Sequence, residues 1–224
     1  MSAPPVPRRN WRETLLHAWD HVWLALRLPL PRYVMEVQMK SPRLRGVRLR
    51  QYRESDFEAC RMLCDLNAPG RFPSGTAEAQ IEYLQTVPER NLVAEVEGQV
   101  IGCGGYVLNH PNHAILVFGL VHPAYQKMGV GRLLFFARIV QMPLIRTDTI
   151  IQIATVKAAL PYYRQFGFES QPTFWEDEEK GKHPLALMAV NAEGIRRAKH
   201  YLKLVQVPYP DLSELPPEKP LLLQ

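Results

Sequence analysis

The chain has 224 residues, 46% hydrophobic and 22% charged, the balance of an ordinary globular protein long enough to bury a full core. Its formal net charge of +5 sits in the first fifty residues, where ten Lys/Arg meet three Asp/Glu; the remainder is slightly acidic, which argues against nucleic-acid binding by the folded module. Cys60, Cys64 and Cys103 cannot all pair and no second Cys/His pair at zinc spacing joins them, so no metal is expected and a reduced, cytoplasmic setting is the simpler reading.

Taken in chain order, residues 1–8 are Pro-rich. Residues 10–28 read as a helix opened by Asn10 and ended by Pro29 and Pro31. Trp11, Leu15, Trp19, Val22, Trp23 and Leu26 form one stripe on it, suited to docking on its own domain, on a sister subunit in a homodimer, or on a membrane surface. The apolar stretch 22–30 is short and broken by Arg27 and Pro29, so it predicts no membrane span.

Alternation in Val47–Tyr52 predicts a first strand, and Ser55 or Asp56 caps a helix to about Leu66. A second helix covers Thr76–Val87. Residues 92–96 and 100–108 make a hairpin across Glu97-Gly98-Gln99. Ala114–Val121 is a nearly continuous apolar run, as in a strand covered on both faces. A glycine-bearing turn and an amphipathic helix follow. Then come a strand at Thr149–Val156, a short helix ending at Gly167, and strands at Phe168–Trp175 and Pro184–Val190 around a charged loop, Glu176–His183. Residues 192–206 read as a last amphipathic helix, with Arg196, Arg197, Lys199 and Lys203 on its wet side, before a Pro-rich tail. The organisation is an N-terminal extension (1–45), one domain (46–191) and a C-terminal helix and tail (192–224).

The most informative stretch is Gln126-Lys127-Met128-Gly129-Val130-Gly131, followed by Arg132. Strand, tight turn and helix aim backbone N–H groups and a helix dipole at one point, which makes an anion site. A P-loop is excluded because Arg132 and Leu133 stand where Lys and Ser/Thr belong. A dinucleotide fingerprint is excluded because Leu134 stands where its third glycine or alanine belongs. The pattern Gln/Arg-x-x-Gly-x-Gly/Ala after a strand ending in Val-x-Pro resembles the cofactor motif of the GNAT superfamily of acyl-CoA-dependent N-acyltransferases. Ala159-x-x-x-Tyr163-x-x-x-Gly167-Phe168 resembles a second motif of that family.

The resemblance implies an α/β (α+β) fold with a mixed, mainly antiparallel six- to seven-stranded sheet flanked by helices. It implies acetyl-CoA as donor, held by Leu120, Val121 and residues 126–132 (Gln126, Lys127, Met128, Gly129, Val130, Gly131 and Arg132). The acceptor is an amine, on a small molecule or a protein. Tyr163 takes the family's place of general acid toward the leaving thiolate, with Tyr162 about 100° away on the helix. The family's acid on the fourth strand is missing, since residues 114–121 hold no Asp or Glu; His113 and His122 are the candidate bases, with His110, Glu95 or a water chain as alternatives. Val156 replaces the family's usual Asn, and Pro161 is expected to kink the short helix. Other classes open at this point are a GNAT-fold binding module without catalysis and a membrane or scaffold protein using residues 10–28.

Overall fold

The structure, a computed structural model, describes residues 46–67, 72, 75–110, 112–142, 149–155, 159–164, 168–177, 181–189 and 198–203. The tryptophan stripe at 10–28, His110's side chain, Val156 and the Pro-rich tail lie outside what is described.

Seven strands form one sheet in the order β1-β2-β3-β4-β5-β7-β6. They are β1 (Val47–Gln51), β2 (Asn91–Val96), β3 (Gln99–His110), β4 (His113–Val121), β5 (Ile150–Ala154), β6 (Glu169–Asp177) and β7 (Gly181–Ala189). Only the β4–β5 pair is parallel. The helices are α1 (Phe57–Asn67), α2 (Thr76–Thr86), α3 (Val130–Gln141) and α4 (Leu160–Arg164). The expected mixed, mainly antiparallel sheet is the observed one.

Side-chain periodicity sorts the sheet's faces. Leu92 and Ala94 of β2 join Val47, Leu49 and Ile101 against Val130, Leu133 and Leu134 of α3. Val93 and Cys103 point the other way, against Cys60, Leu63 and Cys64 of α1 and Tyr83 and Leu84 of α2. A third cluster places Phe135 and Ile139 of α3 against Leu116, Ile151, Leu160 and Phe168. The sheet is therefore sandwiched, with α1 and α2 on one face and α3 and α4 on the other. Residues 198–203 are helical and add Tyr201 and Leu202 to the α3 side, leaving Lys199 and Lys203 wet.

Local chemistry explains several boundaries. Glu97 and Gly98, at φ 48 and 77°, form a two-residue turn, so Gln99 opens β3 rather than belonging to the loop. The β6–β7 hairpin is tighter than its charged sequence suggests: Glu176 pairs with Lys182 and Asp177 with Gly181. Pro161 is the second residue of α4 (Leu160–Arg164), in the first turn, where a missing amide donor costs no intrahelical bond.

Glu95, a candidate base, is committed elsewhere. Its carboxylate accepts from Arg50 Nε at 2.6 Å and from Arg48 Nη2 at 3.1 Å. The hydrogen bond from Arg50 holds Glu95 below the usual carboxylate range. Arg50 also donates twice to Asp56, at 2.6 and 2.8 Å, tying β1 and β2 to the turn before α1. No described helix is long and apolar enough to cross a membrane.

Candidate active site

The centre of the molecule is a wedge between two parallel strands. β4 and β5 pair through three rungs only: His113 with Ile150, Ala114 with Ile151 and Ile115 with Gln152. Beyond them β4 runs on to Val121, while Ile153 and Ala154 of β5 stay with β7. Residues 116–121 thus present an edge about 20 Å long with no strand on the β5 side among the described residues.

A bulge shapes that edge. Gly105 faces Val117 and Cys103 faces Leu120, so Phe118 and Gly119 together oppose Gly104. Phe118 takes φ 48°, a left-handed conformation costing a side-chain-bearing residue about 1–3 kcal/mol. The extra residue turns Phe118 toward the α1–α2 layer, where Val117 also packs, and leaves Gly119 exposed.

At the open end of the wedge stands the N-terminus of α3. Lys127 (φ 62°) and Gly129 (φ 91°) both adopt left-handed backbone, and Gly129 caps the helix with no side-chain hydrogen bond to its first amides. Buried Val130 anchors the turn in the core. Gln126 positions the loop: its Nε2 donates to Asn67 Oδ1 at 2.9 Å and to Val121 O at 3.1 Å, while Asn67 donates to Val121 O at 3.2 Å. Loop, end of β4 and end of α1 are thereby locked together. A Cβ on Gly131 would meet only Val121 Cγ2 at 3.7 Å and the Tyr162 hydroxyl at 3.9 Å, ordinary contacts. The fold itself leaves room for a side chain there.

The profile of the Acetyltransferase (GNAT) family matches residues 51–168, a little over half of the chain. The chain belongs to that family. Solved structures with the same fold include Ard1 from Thermoplasma volcanium (TM-score 0.55, 17% identity, 65% of this chain and 98% of that one). The NatC complex bound to Gag peptide and CoA aligns at TM-score 0.54 and 18% identity, over 65% of this chain and 99% of that one. N-acetylglutamate synthase from Neisseria gonorrhoeae, solved with coenzyme A and N-acetyl-glutamate, aligns at TM-score 0.51 and 18% identity over 65% of this chain but only 35% of its own. No curated protein matches the chain. As a GNAT acetyltransferase it is an acyltransferase with acetyl-CoA as donor.

The wedge gives this GNAT domain a direction. The N-terminus of α3 lies at its open end and Leu116 lies next to its closed end. Leu120 and Val121 line the stretch next to the loop, paired with Cys103 and Gly102 on their other side. Tyr162 places its hydroxyl beside Gly131, at the loop end. Tyr163 packs on the other side, its ring centroid 6.3 Å from that of Phe135 and 5.5 Å from that of Phe168. Burial pushes both phenols above the ordinary tyrosine range, and for Tyr163 the nearby Arg138 guanidinium pulls the other way.

The two candidate histidines lie at opposite ends of β4. His113 occupies the closed end, roughly 10 Å from Leu116 along the strand, with Nε2 3.0 Å from Gln152 Oε1. His122 follows the open end, where its Nδ1 accepts from the Ala124 amide at 3.2 Å and shapes the turn into the loop. One further residue stands at the wedge that sequence reading alone does not single out: Arg138 of α3, 3% exposed, lies against Gly104 and Gly119. Finding it needs the knowledge that glycines on β3 and β4 face the same point of α3.

Proposed function

We propose that this protein transfers the acetyl group of acetyl-CoA to a primary amine by direct attack, with both substrates bound at once. The observation that carries this is the three-rung β4–β5 pairing that opens into a wedge, with the uncapped N-terminus of α3 at its mouth. Amides of residues 127–132 hold the pyrophosphate, and the unpaired edge 116–121, Leu120 and Val121 included, takes the arm leading to the thioester. The Gly131 side leaves the space such an approach requires.

The amine nitrogen attacks the carbonyl carbon and a C–N bond forms. The carbonyl oxygen takes up negative charge, met by backbone donors of the β4 edge. Collapse breaks the C–S bond. Tyr163, a phenol neutral at physiological pH and pushed further up by burial, donates to the departing thiolate. His113 is the better placed of the two histidines to receive the amine proton, through water, since it stands at the acyl end whereas His122 stands beside the phosphates. A covalent acyl-cysteine is disfavoured: all three cysteines are fully buried, and the neighbouring Cys60 thiol and burial push the Cys103 thiol, which donates to Phe118 O at 3.9 Å, well above its ordinary pKa.

The acceptor carries a free amino group, as a small molecule or a polypeptide. The three free buried cysteines support a reducing, cytoplasmic location. Residues 10–28 supply a contact with a second copy or a membrane surface, a reading that rests on their sequence alone. The test is thiol release from acetyl-CoA over a panel of amines, amino acids and peptide N-termini. Release that depends on one amine class supports the reading; acetyl-CoA binding without amine-dependent release from any of them sinks it in favour of a binding module.

A further inference from the structure

Arg138 is out of place by ordinary rules of burial. It projects from α3 with 3% of its surface exposed, among Leu134, Ala137 and the sheet, and among the described residues no carboxylate pairs with it. An ion in such surroundings costs several kcal/mol of lost hydration, and a leucine or methionine would fill the same volume without that cost. Burial accordingly pulls its pKa down.

Backbone carbonyls replace the missing counter-ion. Nε donates to Leu134 O at 3.2 Å, and Nη1 donates to Gly105 O at 3.1 Å and Val117 O at 3.3 Å. Gly105 and Val117 are partners across the β3–β4 ladder, at the rung where the bulge breaks it. The arginine thus supplies donors at the point of irregular pairing. Its seat is cleared by glycines. A Cβ on Gly104 would lie 3.1 Å from both Cζ and Nη1, and one on Gly119 3.2 Å from Nη2. Gly119 is an exposed residue of the wedge edge, so Nη2, which has no protein acceptor among the described residues, lies beside the surface that receives the donor. Tyr162, Tyr163, Tyr83 and Cys103 are the titratable groups that feel its charge.

We propose that Arg138 is the positioning residue of acyl transfer, its guanidinium latching the β4 bulge so that the edge beyond it is held open at the width and register that seat the thioester. This rests on the acetyl-transfer reading above. Cofactor phosphates bind at the other end of the wedge, so the latch governs turnover rather than donor affinity.

The experiment compares the full chain with Arg138→Met, Arg138→Lys and Gly119→Ala, measuring acetyl-CoA affinity by calorimetry and kcat with one amine acceptor. Arg138→Met is expected to keep acetyl-CoA affinity within about threefold while kcat falls about a hundredfold, the scale seen when a donor group at a developing oxyanion is lost. Arg138→Lys, which keeps a charged donor, is expected to recover about a tenth of the activity. In Gly119→Ala the arginine is intact but displaced, and kcat falls with affinity retained. Arg138→Met or Gly119→Ala with wild-type kcat overturns the proposal, as does a loss of affinity that accounts for the whole fall. Where Arg138→Met fails to fold, Gly119→Ala and Arg138→Lys decide by the same readings. A wild-type chain that binds no acetyl-CoA refutes the transfer reading and this inference with it; wild-type turnover with an indifferent Arg138 refutes this one alone.

Discussion

Replacing Gly131 by valine separates folding from donor binding more cleanly than any other change in the loop. Gly129 cannot serve, because at φ 91° any side chain costs about 1 kcal/mol of backbone strain before a ligand is considered. Gly131 lies inside the first turn of α3 with no such strain, and the nearest atoms to an added Cβ are 3.7 and 3.9 Å away. Valine is no worse a helix former than glycine, so the unliganded variant should melt within about 2 °C of the wild type. With acetyl-CoA at 100 times its Kd, the wild type gains about 2.7 kcal/mol, which for a chain of this size is a rise of roughly 5–10 °C. The added methyl groups stand between the ligand and the helix amides. Losing one charge-assisted hydrogen bond of about 1.5–3 kcal/mol weakens binding by ten- to a hundredfold. A hundredfold loss leaves roughly 0.4 kcal/mol of stabilisation at the same concentration, or about 1 °C. Differential scanning fluorimetry reads both quantities at once. A variant that melts like the wild type and still shows the full acetyl-CoA shift refutes the assignment of this turn.

Tyr163→Phe should cut kcat by about a hundredfold or more while leaving acetyl-CoA affinity nearly unchanged, measured by stopped thiol-release and calorimetry; an active Tyr163→Phe beside an inactive Tyr162→Phe would move the donor role to Tyr162. Gly105→Ala should destabilise the fold by at least about 2 kcal/mol, because its Cβ would overlap the buried Tyr83 hydroxyl, whose hydrogen bonds to the Tyr106 backbone resist displacement; unchanged denaturant midpoints would contradict this. Burial raises the pKa of Tyr83, Tyr162, Tyr163 and Tyr201, the last to about 12, so the folded state keeps protons that the unfolded chain loses near pH 10. Stability is then full below about pH 10 and falls as pH rises toward 12, which pH-dependent melts should show. On the acid side, burial raises the Asp56 carboxyl but hydrogen bonds from Arg50 and the Arg53 amide outweigh it, and Arg50 also lowers Glu95. Stability should therefore drop as pH falls below about 4, and Arg50→Met should remove about 3 kcal/mol at neutral pH together with most of that acid sensitivity.

Much of this architecture is written locally in the chain. Alternation in Val47–Gln51 places Leu49 toward α3 and Arg50 toward Glu95, and the glycines at 129 and 131 announce a turn and a close approach before any partner is known. The bulge is a different matter. Ala114–Val121 reads as one uninterrupted apolar strand, and nothing about a phenylalanine announces left-handed backbone at Phe118. Its setting is tertiary: Gly104 and Gly119, fifteen residues apart, clear a seat for Arg138, one turn after Leu134 on the helix face that meets the sheet. The fate of Glu95 was equally hidden, since it depends on Arg48 and Arg50 across a strand pair. Gln126 looked like a cofactor contact by motif, yet its side chain is spent on Asn67, 59 residues earlier. Long-range pairing decides each of these, and periodicity carries no record of it.

Hydrogen exchange with and without coenzyme A tests the central claim most directly, because the claim concerns which backbone amides are open and which a ligand covers. Among the described residues, 116–121 of β4 lack a strand partner on the β5 side, and the first amides of α3 lack a side-chain cap. Saturating coenzyme A should slow exchange in peptides spanning 116–121 and 127–132, and should leave the β1–β2 and β6–β7 pairs unchanged. Protection that spares both segments, or that falls on α1 and α2 instead, would contradict a donor seated in the wedge between β4 and β5.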